Sequence, residues 1–322
     1  MAREGNAVDR REAAWAKVNL ALEVGPRRPD GYHEVVTFLQ ALDWEETVRV
    51  GLGRRPAGGV RLRVRGMPAL PRGAGNLAVR AVHMWRRYDP GLGPVRVEIA
   101  KRLPAGAGLG GGSSDGAAVL RALSRLRPGR ASAPGIAREL GSDVPFLLSD
   151  LPAALAWGRG EHLEAAPSLP ATWRVVVALG PRPLSTAAVY RRFDRLAGAR
   201  EPIGERSRAL AAALAALTAE GARRPQSAQA LATVAPWLEN DLWPAALSLL
   251  PELERVRSLL AENVGRGRPV AMTGSGSALF ALVEDADRAA HAVARLLREG
   301  VRAKAAAPRG GAAEDGEGRV AM

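Results

Sequence analysis

A glycine-rich stretch, PAGAGLGGGSSDGA at residues 104–117, constrains the fold more than any other feature of the chain. The segment before it, residues 94–100, alternates apolar and polar side chains and predicts a strand, and the apolar run after it, residues 117–126, predicts a helix. Successive glycines let backbone N–H groups approach an anion closely, and the start of a helix adds its dipole. The stretch therefore predicts a phosphate-binding loop rather than a flexible linker. The residues expected to cap the helix are Ser113, Ser114 and Asp115.

Two widespread phosphate loops do not fit this stretch. Gly106, Gly108 and Gly111 match the G-x-G-x-x-G pattern of dinucleotide-binding proteins, but the glycines and serines run on before the helix begins. No acidic residue ends a following strand about 20 residues later, where it would bind a ribose. The chain contains no Gly-Lys pair, which excludes the P-loop, and it lacks the H-R-D and D-F-G signatures of protein kinases.

Composition indicates a globular protein large enough for two packed domains, with 322 residues of which 47% are hydrophobic and 25% charged. The N-terminus is too charged for a secretory signal, and the longest apolar stretch, residues 209–219, is too short to span a bilayer, so we expect a cytoplasmic protein. The absence of cysteine excludes disulfides and thiolate metal sites, and the four histidines are too far apart in sequence to suggest a zinc motif. Any metal is expected to arrive with a substrate.

The formal net charge of +13 is compatible with nucleic acid, an acidic membrane surface or anionic small substrates. The arginines are spread along the chain without a dense basic tract interleaved with aromatic residues, so we expect neither a nucleic-acid nor a membrane partner. Only three of the 46 basic residues are lysines, and a retained lysine can mark a position that needs a compact ammonium. Lys17 is such a position, Lys101 either supports the loop electrostatically or is merely solvated, and Lys304 is interpreted as a chance survivor.

Hydrophobic periodicity outlines a sheet in the first half of the chain and mostly helices in the second. Strands are predicted at residues 13–24, 34–42, 47–51, 60–64, 154–157 and 173–179, and a strand, a glycine turn and a strand at residues 269–284. Helices are predicted at residues 77–88, 134–140, 207–220, 243–262 and 286–298.

Three further stretches accompany the glycine loop: AKVNLALEVGPRRPDGYHE at residues 16–34, LGSDVPFLL at residues 140–148 and AMTGSGSALFAL at residues 271–282. In this order and spacing, over residues 13–305, the four motifs resemble the GHMP kinases, named for galactokinase, homoserine kinase, mevalonate kinase and phosphomevalonate kinase. The resemblance implies a two-domain α+β fold with the active site in the cleft between the domains. The implied parts are a ribosomal protein S5 domain 2-like, ATP-binding domain at residues 11–170, a ferredoxin-like domain at residues 171–306, and flexible tails at residues 1–10 and 307–322.

The resemblance also implies ATP as the phosphoryl donor, with Mg²⁺ accompanying the nucleotide. Lys17 is then the catalytic lysine between the γ-phosphate and the acceptor hydroxyl, and Asp143 is the base that accepts the hydroxyl proton. By pattern alone, Lys17 would be a surface lysine beside a sheet and Asp143 a turn or cap residue. Ser114 is a candidate magnesium ligand. The loop residues expected to bind ATP are Pro104, Ala105, Gly106, Ala107, Gly108, Leu109, Gly110, Gly111, Gly112, Ser113 and Ser114.

Substrate recognition is implied for the DGYH segment, which by pattern alone is also compatible with a hairpin turn. In the kinases that this chain resembles, the segment meets a cytidine, so Tyr32 would stack on cytosine and His33 would hydrogen-bond its edge. Tyr190 is a candidate second aromatic residue, and Asn19 is expected to orient the acceptor arm of the substrate. A supporting glycine turn beside the phosphate loop is expected at Gly274, Ser275, Gly276 and Ser277.

The implied reaction is the ATP-dependent phosphorylation of the 2-hydroxyl of 4-diphosphocytidyl-2-C-methyl-D-erythritol, in the non-mevalonate route to isoprenoid precursors. The alternative is another GHMP kinase that acts on a small alcohol of the homoserine or mevalonate type. The DGYH segment argues against that alternative, because a small alcohol has no nucleobase to stack. The enzyme is expected to work as a monomer or a homodimer.

Overall fold

The computed structural model describes residues 9–53, 58–66, 73, 75–196, 202–219, 228–265 and 267–310. Within these ranges the chain forms two sheets, and each sheet has its own set of helices. This is the α+β, two-domain architecture that the motifs imply.

The first domain is built on a six-stranded sheet. Its elements are β1 Asp9–Arg27, β2 His33–Leu52, β3 Val60–Arg65, α1 Leu77–Tyr88, β4 Val95–Ala100, α2 Gly111–Leu126, α3 Ala133–Leu140, α4 Val144–Leu148, β5 Ala153–Gly158 and β6 His162–Ala165. β2 pairs antiparallel with β1, β4 and β5, while β3 lies parallel to β4 and β6 forms the far edge. The four helices share with the sheet an apolar core that includes Trp85, Ile99 and Phe146.

The pairing of β1 with β2 is irregular beside Lys17. Trp15 pairs with Glu45 but Lys17 pairs with Ala41, so β2 has extra residues at this point and the register shifts. Such irregularities turn side chains away from the direction that strict alternation would give them. The backbone N–H of Lys17 donates to the carbonyl of Leu109 at 3.1 Å. β1 is thereby tied to the glycine loop at the residue expected to be catalytic.

The second domain contains a four-stranded antiparallel sheet. Its elements are β7 Arg174–Ala178, α5 Thr186–Leu196, α6 Glu205–Ala219, α7 Ala228–Val234, a 3₁₀ turn at Ala235–Trp237, α8 Trp243–Leu249, α9 Leu253–Val264, β8 Val270–Met272, β9 Leu279–Val283, α10 Ala286–Arg298 and β10 Ala303–Ala306. The spatial order β10-β7-β9-β8, with helices between β7 and β8 and between β9 and β10, is that of a ferredoxin-like fold. The fold predicted for this domain is confirmed.

An apolar cluster joins the two domains. It contains Val18 and Phe38 of the first sheet and Trp173 and Phe280 of the second domain, all without exposed surface. Leu109, in the middle of the glycine loop, is buried in the same cluster. Because each fully buried large apolar side chain contributes about 1.5 to 3 kcal/mol, this cluster holds the loop at the domain boundary.

Several predicted boundaries are wrong. The strands expected at residues 34–42 and 47–51 are one continuous strand, β2. The single helix expected at residues 243–262 is two helices, because Pro251 lacks the N–H that a continuous helix would need. The tails are shorter than predicted. Asp9 already belongs to β1 and pairs with Gly51 of β2, and Pro308 forms an isolated β-bridge with Leu42 of β2. The remaining parts of the predicted tails, residues 1–8 and 311–322, lie outside the described residues.

A partly buried ion pair joins the C-terminal ends of α1 and α2. Arg127 donates to both carboxylate oxygens of Asp89, at 2.8 and 2.9 Å, and each residue is the C-cap of its helix. The hydrogen bond from Arg127 lowers the pKa of Asp89, so this pair stabilises the fold above about pH 4 and loses its effect as the pH falls through the lowered pKa.

We therefore expect Asp89→Asn to lower stability by about 1 to 3 kcal/mol at pH 7, because it weakens a bidentate hydrogen bond to a charged group. The difference from the unsubstituted protein should shrink as the pH is lowered below about 4. Thermal unfolding measured between about pH 2.5 and 7 tests this, with the exposed Asp287→Asn as the control. A difference that is independent of pH would contradict the assignment.

Candidate active site

A cleft of about 760 Å³ lies between the two domains. The first domain contributes Lys17, Asp143 and the glycine loop to its lining, and the second contributes Tyr190 and the glycine turn that begins at Gly274. Most of the residues expected from the sequence therefore meet in one cavity. The exceptions are Ala105, Ser114 and Ser277, which lie outside the lining of the cleft.

The glycine loop packs directly against the glycine turn of the second domain. Thr273 Oγ1 donates to the carbonyl of Gly108 at 3.1 Å, and the N–H of Ala278 donates to the carbonyl of Ala107, also at 3.1 Å. Gly108 has a φ of +78°, and a Cβ at this position would lie 2.0 Å from the carbonyl oxygen of Thr273. Only glycine allows the two backbones to approach this closely.

Gly108→Ala should raise the KM for ATP by about 10- to 100-fold, because backbone strain of this kind costs about 1 to 3 kcal/mol and displaces the loop. The added Cβ is bonded to the backbone and the carbonyl oxygen of Thr273 is part of it, so a side-chain rotation cannot relieve the contact. The control is Gly129→Ala, since Gly129 has a similar φ of +71° but nothing within 4 Å of an added Cβ. Steady-state kinetics with both variants test the prediction, and equal KM values for ATP would contradict it.

The helix that follows the loop begins earlier than predicted. Its first residue is Gly111, and the N-cap is Gly110 in the left-handed conformation, with no side-chain cap. Ser113 and Ser114 therefore lie within the first turn and Asp115 just after it, and the prediction of these three as capping residues is wrong. The first intrahelical bond runs from the N–H of Ser114 to the carbonyl of Gly110. Residues 111–113 line the cleft, and their N–H groups precede this bond, so no partner within the helix prevents them from binding an anion.

Lys17 and Asp143 converge inside the cleft. Lys17 Nζ lies 3.3 Å from Asp143 Oδ2, and the lysine is 2% exposed while the aspartate is one-third exposed. Lys17 Nζ also donates to Asn19 Oδ1 at 2.5 Å, and Asn19 Nδ2 in turn donates to Thr37 Oγ1 at 2.8 Å. The ammonium is thus held in a fixed position with the carboxylate on its cleft side. Asn19 lines the cleft and orients Lys17, and its expected contact with the substrate stays a prediction.

The other end of the cleft is aromatic. Tyr32 is more than half exposed and has the guanidinium of Arg159 5.0 Å from its ring centre. His33 is buried, and its ring centre lies 5.2 Å from that of Tyr190. Burial, followed by the charge of Asp143, raises the pKa of the Tyr190 hydroxyl, so this side chain remains a neutral phenol beside His33. The motifs did not anticipate Arg159, which lies in no stretch that the resemblance singled out.

The glycine turn is held from behind by a second-domain asparagine. Asn240 Nδ2 donates to the carbonyls of Met272 and Gly274, at 2.7 and 2.8 Å. Ser275 Oγ lies 2.8 Å from Thr186 Oγ1 at the start of α5. Gly274, Ser275 and Gly276 line the cleft, while Ser277 is buried behind them. These contacts fix the turn beside the glycine loop, and its expected supporting role stays a prediction.

A buried ionic cluster underlies the glycine loop, and the sequence did not reveal it. Lys101 Nζ lies 2.5 Å from Glu46 Oε1 and 2.8 Å from Asp115 Oδ2, and all three side chains are buried. The other carboxylate oxygen of Glu46 accepts the N–H groups of Arg102 and Leu103. The cluster therefore joins β2, the start of the loop and the N-terminal half of α2. Of the two alternatives for Lys101, solvation is wrong and electrostatic support of the loop is right.

Charge balance in this cluster shifts two pKa values. Burial alone would lower the pKa of Lys101, but the carboxylates of Asp115 and Glu46 outweigh it and raise that pKa. Burial, with the neighbouring Glu46 carboxylate, raises the pKa of Asp115 well above its ordinary value against the opposing effect of Lys101. Lys304, by contrast, lies over the ring of Trp44 at 4.8 Å, which is a cation–π contact at the surface.

The region around the loop offers few metal ligands. Ser114 is fully buried, and its hydroxyl lacks a hydrogen-bond partner. The described residues contain no group of three or more histidine, cysteine, aspartate or glutamate side chains that could hold a metal ion. A metal ion at this site would therefore depend on oxygen atoms of the nucleotide.

Two family models match the chain: one described as GHMP kinases N terminal domain at residues 76–150, and one described as GHMP kinases C terminal at residues 213–302. A 4-diphosphocytidyl-2-C-methyl-D-erythritol kinase of Saccharopolyspora erythraea is 40% identical over 295 residues, which cover 89% of this chain and 86% of that protein. The chain belongs to the GHMP kinase family. Within it, the chain belongs with the 4-diphosphocytidyl-2-C-methyl-D-erythritol kinases.

Further relatives agree with this placement of the kinase. A protein of the same name from Moorella thermoacetica is 38% identical over 294 residues, 88% of this chain and 93% of that protein. A crystal structure of a 4-(cytidine 5'-diphospho)-2C-methyl-D-erythritol kinase has 36% identity and a TM-score of 0.69, covering 94% of this chain and all of that one. A homoserine kinase from Cytophaga hutchinsonii has a TM-score of 0.64 at 14% identity, which is a likeness of fold alone.

No helix in the described ranges of the kinase is long and apolar enough to cross a membrane.

Proposed function

We propose that this kinase transfers the γ-phosphoryl group of ATP to the 2-hydroxyl of 4-diphosphocytidyl-2-C-methyl-D-erythritol. The observation that supports this best is the position of the Lys17–Asp143 pair. It lies in one cleft between a loop built for phosphate and a wall of aromatic side chains that suits a nucleobase. In the proposed complex, the donor phosphates lie along the glycine loop, the acceptor hydroxyl lies at the Lys17–Asp143 pair and the cytidine lies against the aromatic side chains.

The proposed reaction needs one proton acceptor and one stabilising cation. Asp143 accepts the proton of the acceptor hydroxyl, whose oxygen forms a bond to the γ-phosphorus as the bond from that phosphorus to the β–γ bridging oxygen breaks. ADP leaves with the electrons of the broken bond. The ammonium of Lys17, held by Asn19, stabilises the negative charge on the phosphoryl oxygens, and it needs no reorganisation because its position is already fixed.

The donor nucleotide would lie along the glycine loop. The N–H groups of residues 111–113 and the positive end of the α2 dipole would hold its phosphates. Mg²⁺ would be held mainly by those phosphates and water. The hydroxyl of Ser114 lacks a partner but is buried outside the lining of the cleft, so its expected role as a ligand stays a prediction. When bound, the ion would neutralise part of the negative charge of the phosphates.

The acceptor would bind with its cytosine at the aromatic end of the cleft. Tyr32 is exposed enough to stack on a base, and His33 and Tyr190 provide a polar edge and a second ring. A substrate that uses both these rings and Asp143 carries a base as well as an acceptor hydroxyl, and homoserine and mevalonate have no base. The same cleft would leave a small alcohol without contacts at the aromatic end.

Steady-state assays of the full chain with ATP and each of three acceptors test the proposal. We expect kcat/KM for the cytidine substrate to exceed the values for homoserine and mevalonate by about 10³-fold or more, because a small alcohol makes none of the contacts that would bind the base. Equal or faster turnover of a small alcohol would overturn the substrate assignment, and no turnover of any acceptor would overturn the proposed reaction.

Three expectations from the sequence remain predictions. A cytoplasmic location is tested by cell fractionation, and a monomer or homodimer by light scattering. The absence of nucleic-acid binding is tested on a heparin column, where retention that survives high salt would contradict it.

A further inference from the structure

A contact between β2 and α5 fixes an imidazole at the aromatic end of the cleft. His33 Nε2 lies 2.7 Å from Asp194 Oδ1, although the two residues are 161 positions apart in the chain. The His33 ring also packs on Tyr190, with centres 5.2 Å apart, and edge-on against Phe193 at 6.0 Å. The ring position is thus set by packing, and one ring nitrogen is committed to a carboxylate.

The carboxylate decides which nitrogen of His33 carries the hydrogen. An ionised carboxylate can only accept a hydrogen bond, so the contact places the hydrogen of the imidazole on Nε2. In the neutral ring, Nδ1 then bears a lone pair and can only accept. Nδ1 has no hydrogen bond to any residue in the described ranges. It also differs from the buried polar atoms of these ranges that lack a partner, because it keeps some contact with solvent. Because His33 lines the cleft, this acceptor is available to a ligand there.

We infer that Asp194 is a positioning residue that sets the nucleobase specificity of the kinase. By keeping the hydrogen on Nε2 of His33, it leaves Nδ1 as the acceptor for the exocyclic amino group of cytosine. Cytosine presents an amino donor at position 4, whereas uracil, of nearly the same size, presents a carbonyl acceptor. The lone pair on Nδ1 accepts a hydrogen bond from the amino group of cytosine and repels the carbonyl oxygen of uracil. The inference rests on the proposed function, because it requires the base to lie at this end of the cleft.

Binding of CDP and UDP to the full chain, measured by calorimetry, tests the specificity. The unsubstituted protein should bind CDP about 10- to 100-fold more tightly than UDP. In Asp194→Asn the amide can donate to Nε2 and move the hydrogen to Nδ1, so this ratio should fall to within about threefold. Asp194→Ala should lower the ratio similarly, and the exposed Asp287→Asn should leave it unchanged. In the kinase reaction, both Asp194 variants should raise the KM for the cytidine substrate more than they lower kcat.

Nitrogen-15 NMR of the labelled histidines gives a readout on the unsubstituted protein that does not depend on activity. The chain has four histidines, so the signal of His33 can be assigned by its loss in His33→Gln. We expect a protonated Nε2 and an unprotonated Nδ1, and a mixture of tautomers in Asp194→Asn. A proton on Nδ1 of the unsubstituted protein would overturn the inference. So would a preference for CDP that both Asp194 variants retain, in which case the proposed function would stand. If the unsubstituted protein bound neither CDP nor UDP, the proposed function itself would fail.

Discussion

Asp143→Asn should lower kcat by about 10²- to 10⁴-fold, because the amide cannot accept the proton of the acceptor hydroxyl. Lys17→Met should lower kcat by about 10²- to 10³-fold, since it removes the cation that stabilises the phosphoryl group. Both residues lie in the cleft and Asp143 is one-third exposed, so the fold should tolerate either change. Steady-state kinetics with thermal unfolding measured alongside check the two effects together.

The same two amino-acid changes, made at positions outside the cleft, are the controls for Lys17→Met and Asp143→Asn. Lys304→Met removes the surface lysine beside Trp44, and Asp287→Asn removes an exposed carboxylate, so neither should change kcat. The double variant of Lys17 and Asp143 should be less impaired than the product of the two single effects, because residues that act on one transferring group are not additive. A kcat of Asp143→Asn within threefold of the unsubstituted protein, where about 10²-fold is the smallest loss expected, would exclude Asp143 as the base.

Lys101→Met should lower the free energy of unfolding by about 3 to 5 kcal/mol, because it leaves Glu46 and Asp115 buried without their cation. The KM for ATP should also rise, since Glu46 fixes the N–H groups of Arg102 and Leu103 at the start of the glycine loop. Chemical denaturation and ATP titration measure the two consequences separately.

The comparison with Lys304→Met distinguishes the buried cluster from a general loss of positive charge. That surface change should cost no more than about 1 kcal/mol, the size of an exposed cation–π contact. Adding Glu46→Gln and Asp115→Asn to Lys101→Met should restore part of the lost stability, because no unpaired charge then remains buried. If Lys101→Met were no more destabilising than Lys304→Met, the cluster would not hold the loop.

Strongly amphipathic helices were predictable from the sequence to the residue. The segments at residues 77–88 and 286–298 form α1 and α10 with these bounds, because an apolar stripe determines how each packs and a capping side chain, Asn76 or Asp285, determines where each begins. The start of α2 was not predictable, because it depends on the left-handed backbone of Gly110, and the serines that follow are equally good caps in isolation. Local pattern identified the strand, loop and helix but not the point where the helix begins.

Contacts between distant parts of the chain were the harder part of the site. The contact between Lys17 and Asp143 could be expected only from the resemblance, because the two residues are 126 positions apart and no periodicity relates them. Glu46 shares the buried face of β2 with Trp44 and Val48, so it is a charged residue where the alternation calls for an apolar one, and the partners that explain it, Lys101 and Asp115, lie far along the chain. Asp194 lies on a mostly polar helix where nothing local distinguishes it from its neighbours. These roles come from tertiary packing, which single-sequence patterns do not contain.

Phosphorus-31 NMR of the complete reaction, with the full chain, ATP and 4-diphosphocytidyl-2-C-methyl-D-erythritol, is the most direct test of the proposed phosphoryl transfer. We expect one new phosphomonoester signal that grows with the ADP signals while the diphosphate of the cytidine substrate stays intact, and that is lost with Asp143→Asn. Release of inorganic phosphate without a phosphomonoester, or a phosphomonoester that forms equally well with Asp143→Asn, would contradict it.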